Sequence, residues 1–139
     1  MLHYKTIDTE TLELLKRIQN LPVFANLRLV GGTSLALQIG HRKSIDLDLF
    51  GKIESDEFSV AGALNNTGQV TVLKKSKNIN IYTINGIKVD IVNYPYPWLK
   101  DTLVEDNLKL ANIEDIAAMK LAAITNRGTK KNFVDLFFC

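Results

Sequence analysis

Residues 27–50 read LRLVGGTSLALQIGHRKSIDLDLF, and the rest of the chain can be placed around this stretch. Leu27 to Val30 is a short apolar run of the buried-strand type that leads directly into Gly31-Gly32. Helical spacing resumes from Thr33 to Ile39, and Gly40 closes it in C-cap position. Ile45 to Phe50 then alternates apolar and acidic residues with period two, which predicts a strand with Ile45, Leu47 and Leu49 inward. Asp46 and Asp48 therefore share the opposite face.

Toward the N-terminus, Thr9 to Asn20 carries Leu12, Leu14, Leu15 and Ile18 at helical spacing, with Asp8 or Thr9 as cap, and Pro22 ends the pattern. Toward the C-terminus, Asp56 to Leu64 suits a helix, Asn65 to Gly68 a turn and Gln69 to Leu73 a strand. Ile79 to Ile84 and Ile87 to Val92 flank Asn85-Gly86, the dipeptide best suited to a two-residue type I′ hairpin. That turn sets Ile84 opposite Ile87, Tyr82 opposite Val89 and Ile81 opposite Asp90, so Asp90 is an acidic residue inside a strand. Asn93 to Trp98, with Pro95 and Pro97, predicts a loop. Asn112 with Asp115 has the spacing of a capping box and opens a helix to Asn126, with Gly128 as C-cap. Thr129 caps a last helix through Phe138. Helices at both ends with strands between them predict an α+β domain, a mixed sheet with flanking helices.

With 139 residues, 46% of them hydrophobic, the chain is expected to form one domain over 1–139 with a conventional core. Seventeen basic against 15 acidic residues give a net charge of +2, which excludes a global nucleic-acid or membrane signature, so chemistry must come from local clusters. The single Cys139 permits no intramolecular disulfide, and no secretory pattern opens the chain, so a cytoplasmic location is expected. No apolar run reaches membrane-spanning length.

Asp46 and Asp48, at i and i+2 on a strand, have Cα atoms about 7 Å apart and can converge on one cation. An isolated D-x-D is more often a solvated strand face. Asp90 alters that balance if its strand lies beside the first, because close carboxylates repel by roughly 1–4 kcal/mol per pair at 4 Å and a divalent ion removes the penalty. Oxygen ligands suit Mg²⁺ and phosphoryl chemistry. Zinc has little support, since His3 and His41 lie far apart and the only Cys is terminal.

Gly31-Gly32-Thr33-Ser34, between strand and helix, can present backbone N–H groups and hydroxyls to phosphate, or simply make a tight turn; it lacks the lysine and spacing of a P-loop. Lys120 interrupts the apolar stripe of Ile113, Ile116, Ala117 and Ile124, and Arg127, Lys130 and Lys131 follow, a counterpart for triphosphate or a set of snorkelling helix-edge side chains. Arg42-Lys43 can contact phosphate or pair with a carboxylate. Lys74, Lys75 and Lys77 read as a solvated loop. Tyr94, Tyr96 and Trp98 can stack on a base or cover the core.

Val30-Gly31-Gly32, then thirteen residues, then Asp46-Leu47-Asp48-Leu49 and later Val89-Asp90-Ile91 resembles the active-site signature of the DNA polymerase β-like nucleotidyltransferases. More narrowly, residues 31–37 and 40–50 are similar to the AbiEii/AbiGii toxin family, as is Asp115-Ile116-Ala117-Ala118-Met119-Lys120-Leu121 with Arg127, Lys131 and Asp135-Leu136. The resemblance covers about Leu29 to Phe138. It implies the nucleotidyltransferase fold and transfer of an NMP from an NTP to a hydroxyl acceptor, tRNA or protein, with release of pyrophosphate. By the same resemblance Asp46, Asp48 and Asp90 are catalytic and bind Mg²⁺ or Mn²⁺. Gly31, Gly32, Thr33, Ser34 and Arg42 hold phosphate, with Lys120, Arg127 and Lys131 as counter-charges. It also implies a toxin with an antitoxin partner, in a toxin–antitoxin or phage-defence system.

Two departures stand out. Lys131-Asn132 replaces the family's common Lys-Asp, and relatives continue into a longer helical region where this sequence stops at Cys139. The C-terminal helical region is therefore expected to be short or truncated, and the apolar residues Phe133, Leu136, Phe137 and Phe138 suggest a homodimer contact. The alternative reading is an inactive Mg–NTP-binding regulatory module.

Overall fold

A computed structural model of the chain describes residues 2–40, 46–76, 78–94, 98–105 and 108–126. Its centre is a seven-stranded mixed sheet: β1 (Arg28–Val30), β2 (Leu47–Gly51), β3 (Val70–Lys75), β4 (Ile79–Ile84), β5 (Ile87–Asn93), β6 (Leu103–Glu105) and β7 (Leu108–Leu110), in the order β3-β4-β5-β2-β1-β7-β6. The helices are α1 (Thr9–Gln19), α2 (Gly31–Ile39), α3 (Glu57–Asn65) and α4 (Ile113–Asn126). The expected α+β architecture is the observed one. Among the described residues no helix is long and apolar enough to cross a membrane.

Strand alternation divides the sheet into two unlike faces. Leu29, Leu47, Leu49, Val89 and Ile91 point into the main core, where α1 adds Leu14, Leu15 and Ile18 and α3 adds Val60 and Leu64. Glu10 in the first turn of α1 and Lys16 and Arg17 in the last complement the helix dipole. Asp56 caps α3 by accepting from the Ser59 backbone N–H, which holds its carboxyl below the ordinary value. On the other face, Val30 packs with Ala111 and Ile116 in a smaller cluster that also takes in Phe50, Trp98, Ile113 and Met119. This second face also carries Asp48 and Asp90.

The hairpin follows its turn chemistry. Asn85 (φ +51°) and Gly86 (φ +82°) both adopt the left-handed conformation that a type I′ turn needs, and the pairings are Ile84 with Ile87, Tyr82 with Val89 and Ile81 with Asp90, as the sequence predicts. Four expectations need correction. Lys74 and Lys75 belong to β3 and not to a loop. Strand β2 begins at Leu47 because its antiparallel partner β1 ends at Val30, opposite Asp48, leaving Asp46 ahead of the ladder. The stretch after Trp98 contains β6 and β7, each three residues and too short to show a period; β7 pairs parallel to β1 and is fixed to α1 by the buried Gln19 amide, which bonds Lys109 N and O at 3.0 and 2.8 Å. The Asn112 capping box is half formed. Asn112 Oδ1 accepts from Glu114 N, but Asp115, 5% exposed, turns away to accept from Leu99 N at 2.7 Å and Lys100 N at 3.1 Å.

Asp115 thus ties α4 to the segment that carries Trp98. Replacing Asp115 by Ala leaves two backbone N–H groups without their acceptor. The expected cost is about 2–3 kcal/mol, read as a lower urea midpoint at unchanged m-value.

Candidate functional site

The site is assembled where β1 ends and α2 starts. Gly31 follows β1 immediately with φ +71°, and a Cβ built on it would fall on Asp48 Oδ2. The Asp48 carboxylate therefore lies against bare backbone at the first residue of α2. The residue before this helix, Val30, makes no side-chain cap hydrogen bond, and the N-terminal end of a helix favours an anion.

Parallel pairing of β2 with β5 puts Asp48 in register with Asp90, and Val30 flanks Asp48 on its other side. Two carboxylates on neighbouring strands and one face form the acidic centre. Asp90 Oδ1 is buried without a hydrogen-bond donor, and its cation neighbour, Lys88 Nζ, stands 3.7 Å away with a side chain 46% exposed. At 3.7 Å this ion pair is too long to count as a hydrogen bond to Asp90 Oδ1. A buried carboxylate oxygen lacking a hydrogen-bond donor is the kind of group a bound cation would complete. Asp46 sits just ahead of β2, where its backbone carbonyl accepts a hydrogen bond from the Thr33 hydroxyl. Among the described residues no three His, Cys, Asp or Glu side chains are grouped as a ready ligand set. The structure brings Asp48 and Asp90 together and does not add Asp46 as a third.

The hydroxyls of the glycine turn are committed within the protein. Thr33, 1% exposed, bonds Asp46, and Ser34, fully buried, has its Oγ accepting from Gln38 Nε2 at 3.0 Å. Gln38 also donates to Ala111 O, coupling α2 to the lead-in of α4. Thr33 and Ser34 fix the turn, and its backbone carries the N–H donors. Arg42, Arg127 and Lys131, together with Tyr96, Asn132, Asp135 and the apolar segment 133–138, lie outside the described residues; Lys120 is described only by its place on α4. The sequence reading missed Lys88, two residues before Asp90 on the same strand face, although period-two alternation points to it.

Asp48 and Asp90 are hard oxygen donors of the kind Mg²⁺ or Mn²⁺ takes, and the orphaned Asp90 oxygen fits such an ion.

Comparison with known proteins gives consistent results. Residues 13–139 match the family model described as nucleotidyl transferase AbiEii toxin, type IV toxin–antitoxin system. An uncharacterized protein of Aquifex aeolicus (strain VF5) is 36% identical over 138 residues, covering 96% of this chain and 67% of the relative. Among solved structures, JHP933 from Helicobacter pylori superposes with a TM-score of 0.67 at 20% identity, over 93% of this chain and 62% of that one. A second H. pylori structure, assigned provisionally as a nucleotidyltransferase, gives 0.68 at 20% identity, over 93% and 64%. The chain spans less than two thirds of either solved structure, and the likeness to them is one of fold.

Proposed function

The chain belongs to the AbiEii family of nucleotidyl transferase toxins, and from that premise we propose that it transfers an NMP from an NTP to a hydroxyl acceptor, tRNA or protein, with release of pyrophosphate. One observation carries the reading: Asp48 and Asp90 stand in register on adjacent strands, with Gly31 at the start of α2 against Asp48. Asp48 and Asp90 would hold Mg²⁺ or Mn²⁺, with Asp46 the nearest further carboxylate in sequence. When bound, the ion supplies charge neutralisation and polarises the phosphoryl oxygens.

The chain's own groups do the positioning. The α2 N–H groups at Gly31 and Gly32 orient the triphosphate, and the positive end of the helix dipole favours its charge. Asp90 orients the acceptor hydroxyl and takes its proton as the oxygen bonds the α-phosphorus and the bond to the β-phosphoryl oxygen breaks. Lys120, Arg127, Lys131 and Arg42 are proposed as counter-charges for the leaving pyrophosphate. In the cell we place the protein in the cytoplasm as the toxin of a pair, restrained by an antitoxin.

The test incubates the protein with each α-labelled NTP, Mg²⁺ or Mn²⁺, and total tRNA or cell extract, beside an Asp48→Ala control. Label on a macromolecule only with the intact carboxylate is the expected result and identifies base and acceptor. Metal-dependent NTP binding without any transfer would instead favour the regulatory binding module.

A further inference from the structure

The face that carries Asp48 and Asp90 continues into a cavity of about 500 Å³ that the proposed reaction leaves unused. Cross-strand partners share a face, so Val30 opposite Asp48 and Arg28 opposite Phe50 put Arg28 two residues, about 7 Å, along from the acidic centre. An unbroken row of rings joins the two places. Phe50 meets Tyr94 at 5.6 Å between centroids, Tyr94 meets Trp98 at 5.1 Å, and the Arg28 guanidinium lies 4.4 Å over the Trp98 ring.

The lining combines Arg28, Lys52 and Lys109 with Tyr94, Trp98 and Thr102, and among the described residues lining it none is acidic. Two of its cations are tied to the backbone, Arg28 donating to Lys100 O at 2.9 Å and Lys109 to Ala25 O at 2.8 Å, while the exposed Lys52 stands 3.4 Å from Glu54. Each keeps further N–H donors, because a guanidinium has five and an ammonium three. Aromatic faces beside clustered cations bind a base and its phosphate together, and base faces are open to such stacking in unpaired strands.

We propose that this cavity anchors a single-stranded nucleic acid, with Arg28, Lys52 and Lys109 on its phosphates and the Tyr94–Trp98 rings against its bases, so that the strand end runs along Phe50 to the acidic centre. As an acceptor anchor it rests on the nucleotidyl-transfer reading. As a binding site it stands independently of that reading. A polymer can engage the cavity with several phosphates and bases at once, whereas a mononucleotide offers one base.

Trp98 is the chain's single tryptophan, so its fluorescence reports the cavity directly. A short unstructured RNA oligonucleotide is expected to quench it saturably, at least about tenfold more tightly than a mononucleotide or the matching duplex, and less tightly as salt rises. Lys52→Glu is expected to weaken binding about tenfold and to reduce the salt slope by about 1. Equal quenching by mononucleotide or duplex, no quenching, or an unchanged salt slope in a folded Lys52→Glu protein each overturns the proposal. Transfer without quenching refutes the anchor alone, and quenching without transfer refutes the reaction alone.

Discussion

Asp48→Asn is expected to lower nucleotidyl transfer by at least about 10³-fold, equivalent to about 4 kcal/mol of transition-state stabilisation, while the protein stays as stable as before. The two halves of this expectation have one cause. Asp48 faces Asp90 across the β2–β5 ladder, and like charges directly opposite destabilise a sheet by up to about 1 kcal/mol. Removing one charge therefore leaves stability unchanged or slightly raised, but it takes away half of the oxygen set that would hold the ion. Asn has nearly the same shape, so packing against Gly31 is retained. The check measures initial transfer rate and urea midpoint on one preparation. Full activity in Asp48→Asn would refute the reaction, and a lower midpoint equivalent to several kcal/mol of stability would show that Asp48 is a structural residue. Asp90→Asn should lose about as much activity, and the double variant little more than either, because groups holding one ion act as a unit.

The parts of this site that local chemistry dictates were legible before any coordinates. Asn85-Gly86 determines its hairpin down to the partner of each residue, and period-two alternation separates Asp48 from Leu47 and Leu49. That β2 lies parallel to β5 is a different kind of fact. The two strands are almost forty residues apart, and only the resemblance, not the residue pattern, suggested that their carboxylates belong together. Strands β6 and β7 escaped because three residues carry no measurable period; they exist through pairing with each other and with β1. Asp115 misled for a related reason. Its spacing from Asn112 satisfies a local motif, but two N–H groups at Leu99 and Lys100 make a better tertiary partner than one N–H at the helix start. The hydroxyls of Thr33 and Ser34 likewise suit a phosphate by type, and burial against Asp46 and Gln38 assigns them to holding the turn.

Gly31→Ala should damage both stability and activity, and its damage can be divided into two parts. A left-handed φ of +71° costs an L-residue about 1–2 kcal/mol wherever it occurs. The added methyl also meets Asp48 Oδ2, so either the carboxylate moves or the first turn of α2 unwinds. Together these are expected to destabilise the protein by about 2–4 kcal/mol and, by displacing Asp48 from its register with Asp90, to cut transfer by at least about 10²-fold. The contact part should vanish when Asp48 is shortened. In Gly31→Ala/Asp48→Ala the methyl no longer meets a carboxylate, so the stability cost of Gly31→Ala should shrink to the backbone part alone, a coupling of about 1–3 kcal/mol in a double-mutant cycle. Additive costs would mean that Asp48 is free to swing aside, and that glycine is needed at residue 31 only for its backbone. A coupled result would mean that the glycine at the start of α2 and the carboxylate on β2 form one device, in which the bare backbone sets the position of the acid.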